Sequence, residues 1–208
     1  MEPIHRQPLA LQVASRIRDL IATDQFPPGT PLKEVNLCKQ LSVSRTPLRE
    51  ALKQLIAEGL VEQIPYRGVV VCNPDQASIE QMLELLGALE GFAGEMACLR
   101  ATPEEIDAIR VLTQQMHETY EKDERLSYYK INQSIHRSIV EFSKNGELIR
   151  SHERLNSRLY RIRFLSNRRT DRWHTAIEEH DAILRNLEQR EGLKPVSYTH
   201  LTLPTMMS

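Results

Sequence analysis

Apolar stripes at helical spacing, separated by abrupt breaks, organise the first third of the chain. After Pro8, apolar residues return every three or four positions as far as Ile21, which predicts an amphipathic helix with one face in a core. The segment Phe26–Gly29 contains two consecutive prolines and ends this helix, because proline cannot donate a backbone hydrogen bond. A second amphipathic stretch predicts a short helix over about residues 33–41.

Basic and apolar residues lie on opposite faces of the next predicted helix. Ser44 is predicted to cap it, and Arg45, Arg49 and Lys53 follow at intervals of four, so they line one face. The opposite side is apolar and predicts a core contact. It consists of Leu48, Leu52, Leu55 and Ile56.

Two β-prone runs follow a glycine stop at Gly59. Leu60–Ile64 and Val69–Cys72 are the predicted strands, and the turn between them holds Arg67 and Gly68, where glycine permits a positive φ. A basic tip of this kind can reach a minor groove or a phosphate, and a plain hairpin turn is the alternative. Helix, turn, basic helix and β-hairpin in this order predict a winged helix-turn-helix.

The N-terminal end of the basic helix is the part that such a motif presents to the major groove. An arginine fork can bridge O6 and N7 of guanine, so Arg45 and Arg49 are candidates for reading bases. Lys53, two turns along, is a candidate phosphate contact, and Ser44 and Thr46 can donate to either. The alternative for these side chains is an ordinary solvated helix face.

From about residue 75 onward the pattern is helical, and no strand-like alternation intervenes. The predicted fold is therefore mainly α: three helices and a small β-wing, followed by an antiparallel α-helical bundle. The predicted bundle helices cover residues 78–100, 102–120, 125–143, 147–165 and 171–190.

Composition supports a folded protein with two unlike parts. The 208 residues are 40% hydrophobic and carry a net charge of −1. Residues 1–74 hold nine Lys/Arg against seven Asp/Glu, whereas residues 75–193 hold 17 against 21, which suits a nucleic-acid-binding module joined to a sensing or dimerising one. No apolar run reaches membrane-spanning length and the N-terminus lacks a signal pattern, so a cytoplasmic protein without a membrane partner is expected.

An amide and two imidazoles in the helical region are candidate metal ligands. Asn132 and His136 are four positions apart and share a helix face, and His180 lies on the last predicted helix. Together they could hold a divalent cation, although each histidine taken alone is more often an ordinary core or surface residue. The sequence shows no HExxH motif and no nucleophile with a nearby base, so an enzyme is not expected.

The segment SVSRTPLREALKQLIAEGLVEQIPYRGVVV closely resembles the winged helix-turn-helix of the GntR family of bacterial transcription regulators. The resemblance covers about residues 7–74 and implies a DNA-binding domain there. It also implies a homodimer on double-stranded operator DNA. The implied DNA contacts are Arg45, Thr46, Arg49, Arg67 and Gly68.

The segments INQSIHRSIVEFSKN and EEHDAILRNLEQREG resemble the FCD ligand-binding domain of FadR-type GntR regulators, over about residues 77–193. The resemblance implies that Asn132, His136 and His180 bind zinc, nickel or a similar divalent ion. The fourth ligand of that family comes from a final helix, which this sequence is predicted to lack.

Two arginines are predicted to bind the effector. Arg161 and Arg163 lie on a predicted helix that is expected to face the bundle cavity, and guanidinium groups pair well with carboxylates. The expected effector is therefore a carboxylate or a sugar acid. A solvated arginine face is the alternative.

Residues 194–208 break the helical pattern, and their string SYTHLTLPT resembles translated adapter or vector sequence, so they are predicted to be a sequence artefact. The rest of the chain predicts a transcription regulator, most simply a repressor, whose operator affinity depends on a small metabolite. The alternatives are a non-functional truncated gene product and a metal-dependent enzyme in the helical domain.

Overall fold

The computed structural model describes residues 8–166 and 170–190, and within them the chain forms eight α-helices and one two-stranded sheet. The described residues up to Gln76, together with Ser157–Leu165, form one compact unit, and the others form a second. The first elements are α1 (Leu9–Ala22), α2 (Glu34–Leu41), α3 (Arg45–Ala57), β1 (Val61–Ile64) and β2 (Gly68–Val71). The later ones are α4 (Gln76–Arg100), α5 (Pro103–Glu121), α6 (Arg125–Phe142), α7 (Gly146–Ser166) and α8 (Thr170–Gln189).

The predicted mainly α fold with a small hairpin after the N-terminal helices is confirmed. The predicted artefact at residues 194–208 lies outside the described residues. So do the outermost residues of the two predicted domains, Gln7 and residues 191–193.

The core of the first unit is built from one apolar face of each of its three N-terminal helices. Ile17 on α1, Leu37 on α2 and Leu48 on α3 are all almost completely buried. Burying an aliphatic side chain of this size stabilises the fold by about 1.5–3 kcal/mol. The basic face of α3 therefore stands on a packed scaffold rather than on a loop.

A single left-handed residue makes the turn between α2 and α3. Ser42 has a φ of 54°, and the next N–H, that of Val43, donates to the carbonyl of Cys38 over 3.1 Å. Ser44 occupies the predicted N-cap position in extended backbone, but its side chain makes no capping hydrogen bond. Pro47, three residues on, has no N–H, so the N–H of Thr46 is the one remaining capping donor for the serine oxygen.

The wing begins at a sharp corner and forms one antiparallel ladder. Gly59 has a φ of 73°, and a Cβ built there would lie only 3.0 Å from Cγ of Arg158. Both strands differ by a residue from the predicted ranges. Gly68 was predicted in the turn, and it lies in β2 because it pairs with Ile64 across the ladder.

The second unit is a helical bundle with strongly defined helix starts. Thr102 forms a capping box with Glu105 before α5, since its side chain accepts from the Glu105 N–H and the Glu105 carboxylate accepts from the Thr102 N–H. Asn145 caps α7 by accepting from the N–H groups of Glu147 and Leu148. A shared apolar core joins α4, α5, α6 and α8. Its most buried members include Ala97, Ile109, Met116, Ile135 and Leu187.

Candidate DNA-binding surface and buried histidine cluster

The residues predicted to contact DNA at the start of α3 are exposed together on one end of the helix. Ser44, Arg45 and Thr46 all lie at its N-terminus and all are solvent-exposed. The N-terminal end of a helix carries a partial positive charge and unsatisfied N–H groups, which favour a phosphate. This end of α3 therefore presents hydrogen-bond donors and positive charge from side chains and backbone alike.

The two other basic residues on α3 have acidic partners. Nε of Arg49 donates to both carboxylate oxygens of Glu34 on α2, over 3.0 and 3.1 Å. This hydrogen bond raises the pKa of Arg49 above its ordinary value, so the side chain stays cationic. Lys53 Nζ lies 2.9 Å from Glu50 on the same helix. Both pairs are exposed to solvent, and such pairs exchange readily for other partners.

The wing tip adds a residue that sequence reasoning missed. Arg67 is exposed as predicted, and Gly68 has a φ of 78°. Between Pro65 and Arg67 stands Tyr66, which has a φ of 63° and a fully exposed side chain. A bulky residue in left-handed backbone is uncommon, and its ring contributes nothing to the core.

In the second unit, two of the predicted metal ligands meet. His136 on α6 and His180 on α8 are 4% and 1% exposed, and their rings pack edge to face with centroids 5.2 Å apart. Asn132, one turn before His136, is also buried. The structure thus brings the three predicted ligands into one buried region of the bundle.

Each of the two imidazoles has its Nδ1 beside an oxygen atom. Nδ1 of His180 lies 2.6 Å from the carbonyl oxygen of Ala176, and Nδ1 of His136 lies 3.5 Å from Oε2 of Glu90. Two imidazoles that bind one tetrahedral ion through Nε2, at about 2.0–2.1 Å each, have centroids about 5 Å apart. The observed ring separation matches this geometry.

Burial, with a smaller contribution from Glu178, raises the pKa of Glu179, the residue before His180 in the sequence, to about 7. Across the residues that the structure describes, no set of three or more His, Cys, Asp and Glu side chains is arranged to hold a metal ion. Only two members of the predicted ligand set belong to those four residue types, because the third is an asparagine.

The two predicted effector-binding arginines fall in the first compact unit, whereas Asn132, His136 and His180 fall in the second. Arg161 donates from Nε and from an Nη atom to Oδ1 of Asp24, over 2.8 and 2.6 Å. Arg163 is only 7% exposed.

Three further polar residues became visible only in three dimensions. Glu34 engages the base-reading candidate on α3, and Glu90 joins His136 to a third buried histidine, His152. Glu90 and His152 are 62 positions apart, and Glu34 is 15 positions from its partner. No local sequence signal predicts contacts at such separations.

No helix in the described part of the chain combines the length and apolar character needed to cross a bilayer.

Two family profiles match the chain. The profile described as "Bacterial regulatory proteins, gntR family" matches residues 9–71. The profile described as "FCD domain" matches residues 81–197, more than half of the chain. The first profile covers the three N-terminal helices and the wing, and the second covers the region of the buried histidines.

Similar proteins of named function are bacterial regulators. The chain is 32% identical over 127 residues, 60% of this chain and 74% of the other, to an HTH-type transcriptional regulator in the TAR-I ttuE-ttuC' intergenic region of Agrobacterium vitis. It is 27% identical over 187 residues, 88% of this chain and 82% of the other, to the HTH-type transcriptional regulator YdhC of Bacillus subtilis. Among solved structures, E. coli McbR/YncC shares the fold, with a TM-score of 0.76 and 22% identity over 90% of this chain and 89% of that chain.

Proposed function

We propose that this chain, which belongs to the GntR family of bacterial regulatory proteins and carries an FCD domain, represses transcription until an organic acid binds to it. As a member of this family the chain is a DNA-binding transcriptional regulator that responds to a small molecule. Repression, the class of effector, the homodimer and the cation are the proposed parts. We also propose that the chain acts in the cytoplasm, where operator DNA lies, and that it is a regulator rather than an enzyme.

One observation carries the DNA-binding part of the proposal. The end of α3 that holds Arg45 and Thr46 is exposed, while Leu48 and Leu55 on the opposite face are completely buried. A rigid helix that offers arginine at its N-terminus can enter the major groove and read guanine. We propose Ser44, Arg45, Thr46 and Arg49 as the groove-facing residues. Lys53, Arg67 and Gly68 are proposed as contacts to the DNA backbone or the minor groove.

An exposed apolar stripe on α4 supports the homodimer. Leu85, Phe92 and Leu99 stand seven residues apart on one helix face and are 52%, 46% and 71% exposed. Residues at this spacing form the seam between paired helices. We propose that the stripe packs on the same stripe of a second copy, because a two-fold axis makes any surface on it self-complementary. Two copies would then present two α3 helices to successive major grooves of a palindromic operator.

The proposed effector is a small carboxylate or sugar acid. Regulators similar to this chain are named for catabolic operons, among them the "Probable D-xylose utilization operon transcriptional repressor" of Paenarthrobacter nicotinovorans. The name of that relative supports repression as well. Of the two predicted anion-binding residues, Arg163 is buried, and Arg161 donates to Asp24. A buried guanidinium suits a carboxylate, which it can bind through two parallel hydrogen bonds.

A divalent cation is proposed at Asn132, His136 and His180. The two histidines are buried and oriented through their Nδ1 atoms, and the asparagine shares the helix face of His136. Nitrogen ligands from imidazole favour zinc, nickel and similar ions over magnesium or calcium. Such an ion would cross-link α6 and α8.

The proposal is tested by measuring binding of the purified chain to duplex DNA from its own genetic neighbourhood, by fluorescence anisotropy over a range of salt concentrations. A specific fragment should bind more tightly than a scrambled one, and a panel of organic acids should include one that weakens operator binding by about 5- to 150-fold. Equal affinity for all fragments would refute operator recognition. Specific binding that no organic acid changes would refute only the proposed effector class.

A further inference from the structure

One carboxylate in the second unit is buried between two histidines. Glu90 on α4 is 3% exposed, and its Oε1 lies 3.1 Å from Nε2 of His152 on α7. Its Oε2 lies 3.5 Å from Nδ1 of His136 on α6. The two imidazoles are themselves buried, at 1% and 4% exposure. Burial of a carboxylate is costly unless charge or hydrogen bonds compensate it, and here an imidazole on each side does so.

The contact with Glu90 determines which nitrogen of His136 can coordinate. Because Nδ1 faces the carboxylate, a cation at this histidine would be coordinated through the other ring nitrogen, Nε2. Ligating histidines in metalloproteins usually direct their other ring N–H to a carboxylate or a backbone carbonyl, which fixes the tautomer and makes the ligating nitrogen more basic. His180 follows the carbonyl form of this rule through Ala176. Nδ1 of His136 lies within ion-pair distance of the Glu90 carboxylate, at 3.5 Å.

Glu90 would also offset part of the positive charge of a bound cation. The proposed ligands Asn132, His136 and His180 are all neutral, so none of them offsets the two positive charges of a divalent ion. Glu90 places a carboxylate next to the back of one ligand ring, inside a region of low dielectric where its attraction for a cation is strong. His152 holds that carboxylate from the far side and so keeps it directed at His136.

We propose that Glu90 is the positioning residue of the cation site, and that His152 acts through it. In this arrangement Glu90 orients His136 and increases the affinity of its Nε2 for the ion, without itself being a ligand. The inference rests on the cation site that we proposed above for Asn132, His136 and His180. It adds two residues to that site, and both come from helices that contribute no ligand.

The test compares the affinity of the full chain for Zn²⁺ and for Ni²⁺, measured by competition with a chromophoric chelator, in the wild type and in three variants. Glu90→Gln should bind about 10- to 100-fold more weakly, the usual cost of losing an outer carboxylate partner. His152→Gln should lose affinity in the same direction but less. Glu84→Gln is the matched control, since Glu84 is exposed on the same helix, and its affinity should not change.

A purely structural role for Glu90 predicts a different result. Glu90→Gln would then melt at a lower temperature in EDTA, yet the folded protein would bind both ions as tightly as the wild type, and that outcome overturns the proposal. An unchanged visible spectrum of the Co²⁺-loaded variant overturns it as well, because a reoriented His136 must alter the ligand field.

Different results would overturn the cation site and the positioning role of Glu90. A wild-type chain that binds neither ion overturns the cation site and Glu90 with it, whereas a wild type that binds and a Glu90→Gln variant that binds equally overturn only the positioning role. If Glu90→Gln does not fold, Glu90→Asp keeps the charge and shortens its reach, and it should bind with intermediate affinity. Wild-type affinity in both Glu90→Asp and His152→Gln would then contradict the proposal.

Discussion

Nε of Arg49 lies 3.0 Å from Oε1 and 3.1 Å from Oε2 of Glu34, so the side chain proposed to read bases is held by a carboxylate of the preceding helix. A phosphate or guanine that uses Nε of Arg49 must first displace Glu34. The pair is exposed, and its net strength is therefore small. Glu34 orients the arginine in the free protein and competes weakly with DNA.

Glu34→Gln should therefore strengthen DNA binding modestly. The substitution removes an acidic competitor for Arg49 and one negative charge near the duplex, so affinity should rise by less than about tenfold. The measurement is the dissociation constant for operator and for scrambled DNA at fixed salt. Glu62→Gln, an exposed position on the wing strand β1, controls for the change in net charge alone. Identical gains in the two variants would deny Glu34 a specific role.

Arg49→Ala and Lys53→Ala should separate base reading from phosphate contact. Loss of Arg49 should weaken operator binding about ten- to a hundredfold and spare non-specific binding, because a guanine contact is lost. Loss of Lys53 should weaken both kinds of binding alike and reduce the salt dependence by about one counterion. Titrations at several salt concentrations distinguish the two patterns. A uniform loss in Arg49→Ala would assign that residue to phosphate.

Tyr66→Asn should preserve or increase the stability of the wing and weaken its binding to operator DNA. Asparagine tolerates left-handed backbone better than tyrosine does, so the free energy of unfolding should stay constant or rise by up to about 1 kcal/mol. Operator affinity should fall severalfold, since an exposed ring at a hairpin tip can insert apolar surface into a minor groove. Thermal melts and anisotropy measure the two effects. Tyr66→Phe keeps the ring, and a drop in affinity there as large as in Tyr66→Asn would exclude the ring as the contact.

Phe92→Glu should convert the proposed dimer into a monomer. A charge in the centre of the stripe formed by Leu85, Phe92 and Leu99 would be buried without a partner in the dimer. Light scattering gives the mass in solution, and the monomer should lose cooperative operator binding. Val111→Glu changes an equally exposed apolar residue on α5 and should remain dimeric. Dimers of unchanged stability in Phe92→Glu would place the interface elsewhere.

Thr102→Ala should destabilise the second unit by about 1 kcal/mol, because it removes one half of the capping box at the start of α5. Differential scanning calorimetry gives the shift in melting temperature. Thr119→Ala is the control, since that hydroxyl only returns a hydrogen bond to carbonyls of its own helix. Equal shifts in the two variants would mean that the cap contributes nothing of its own.

The local sequence pattern was sufficient to predict the helices and strands and the exposed face of α3. The four-residue spacing of Arg45 and Arg49, the prolines after Phe26 and the capping signal at Thr102 each reflect chemistry within a few residues of the chain. The N-cap at Ser44 was predicted in the right place, although its side chain makes no capping hydrogen bond. Strand β2 begins at Gly68 rather than at the predicted Val69, because the pairing of Gly68 with Ile64 across the ladder determines the boundary and the turn propensity of glycine does not.

Contacts between distant segments could not be predicted from the sequence. Glu90 stands among apolar residues of α4 with nothing nearby to mark it, and it is explained only when His136 and His152 arrive from other helices. Arg161 was predicted to face a cavity, and its pairing with Asp24 depends on tertiary packing that no periodicity encodes. Effector binding by Arg161 and Arg163 stays a prediction.

At Gly59 two independent features disfavour a Cβ atom. The backbone conformation is one that side chains rarely adopt, and the space beside it is filled by Arg158. Shortening Arg158 would remove the collision but leave the backbone strain, so that change alone would not fully rescue a substitution at Gly59. In a saturation library selected for folded protein, glycine should therefore be strongly enriched at this codon, even in a background where Arg158 has been shortened.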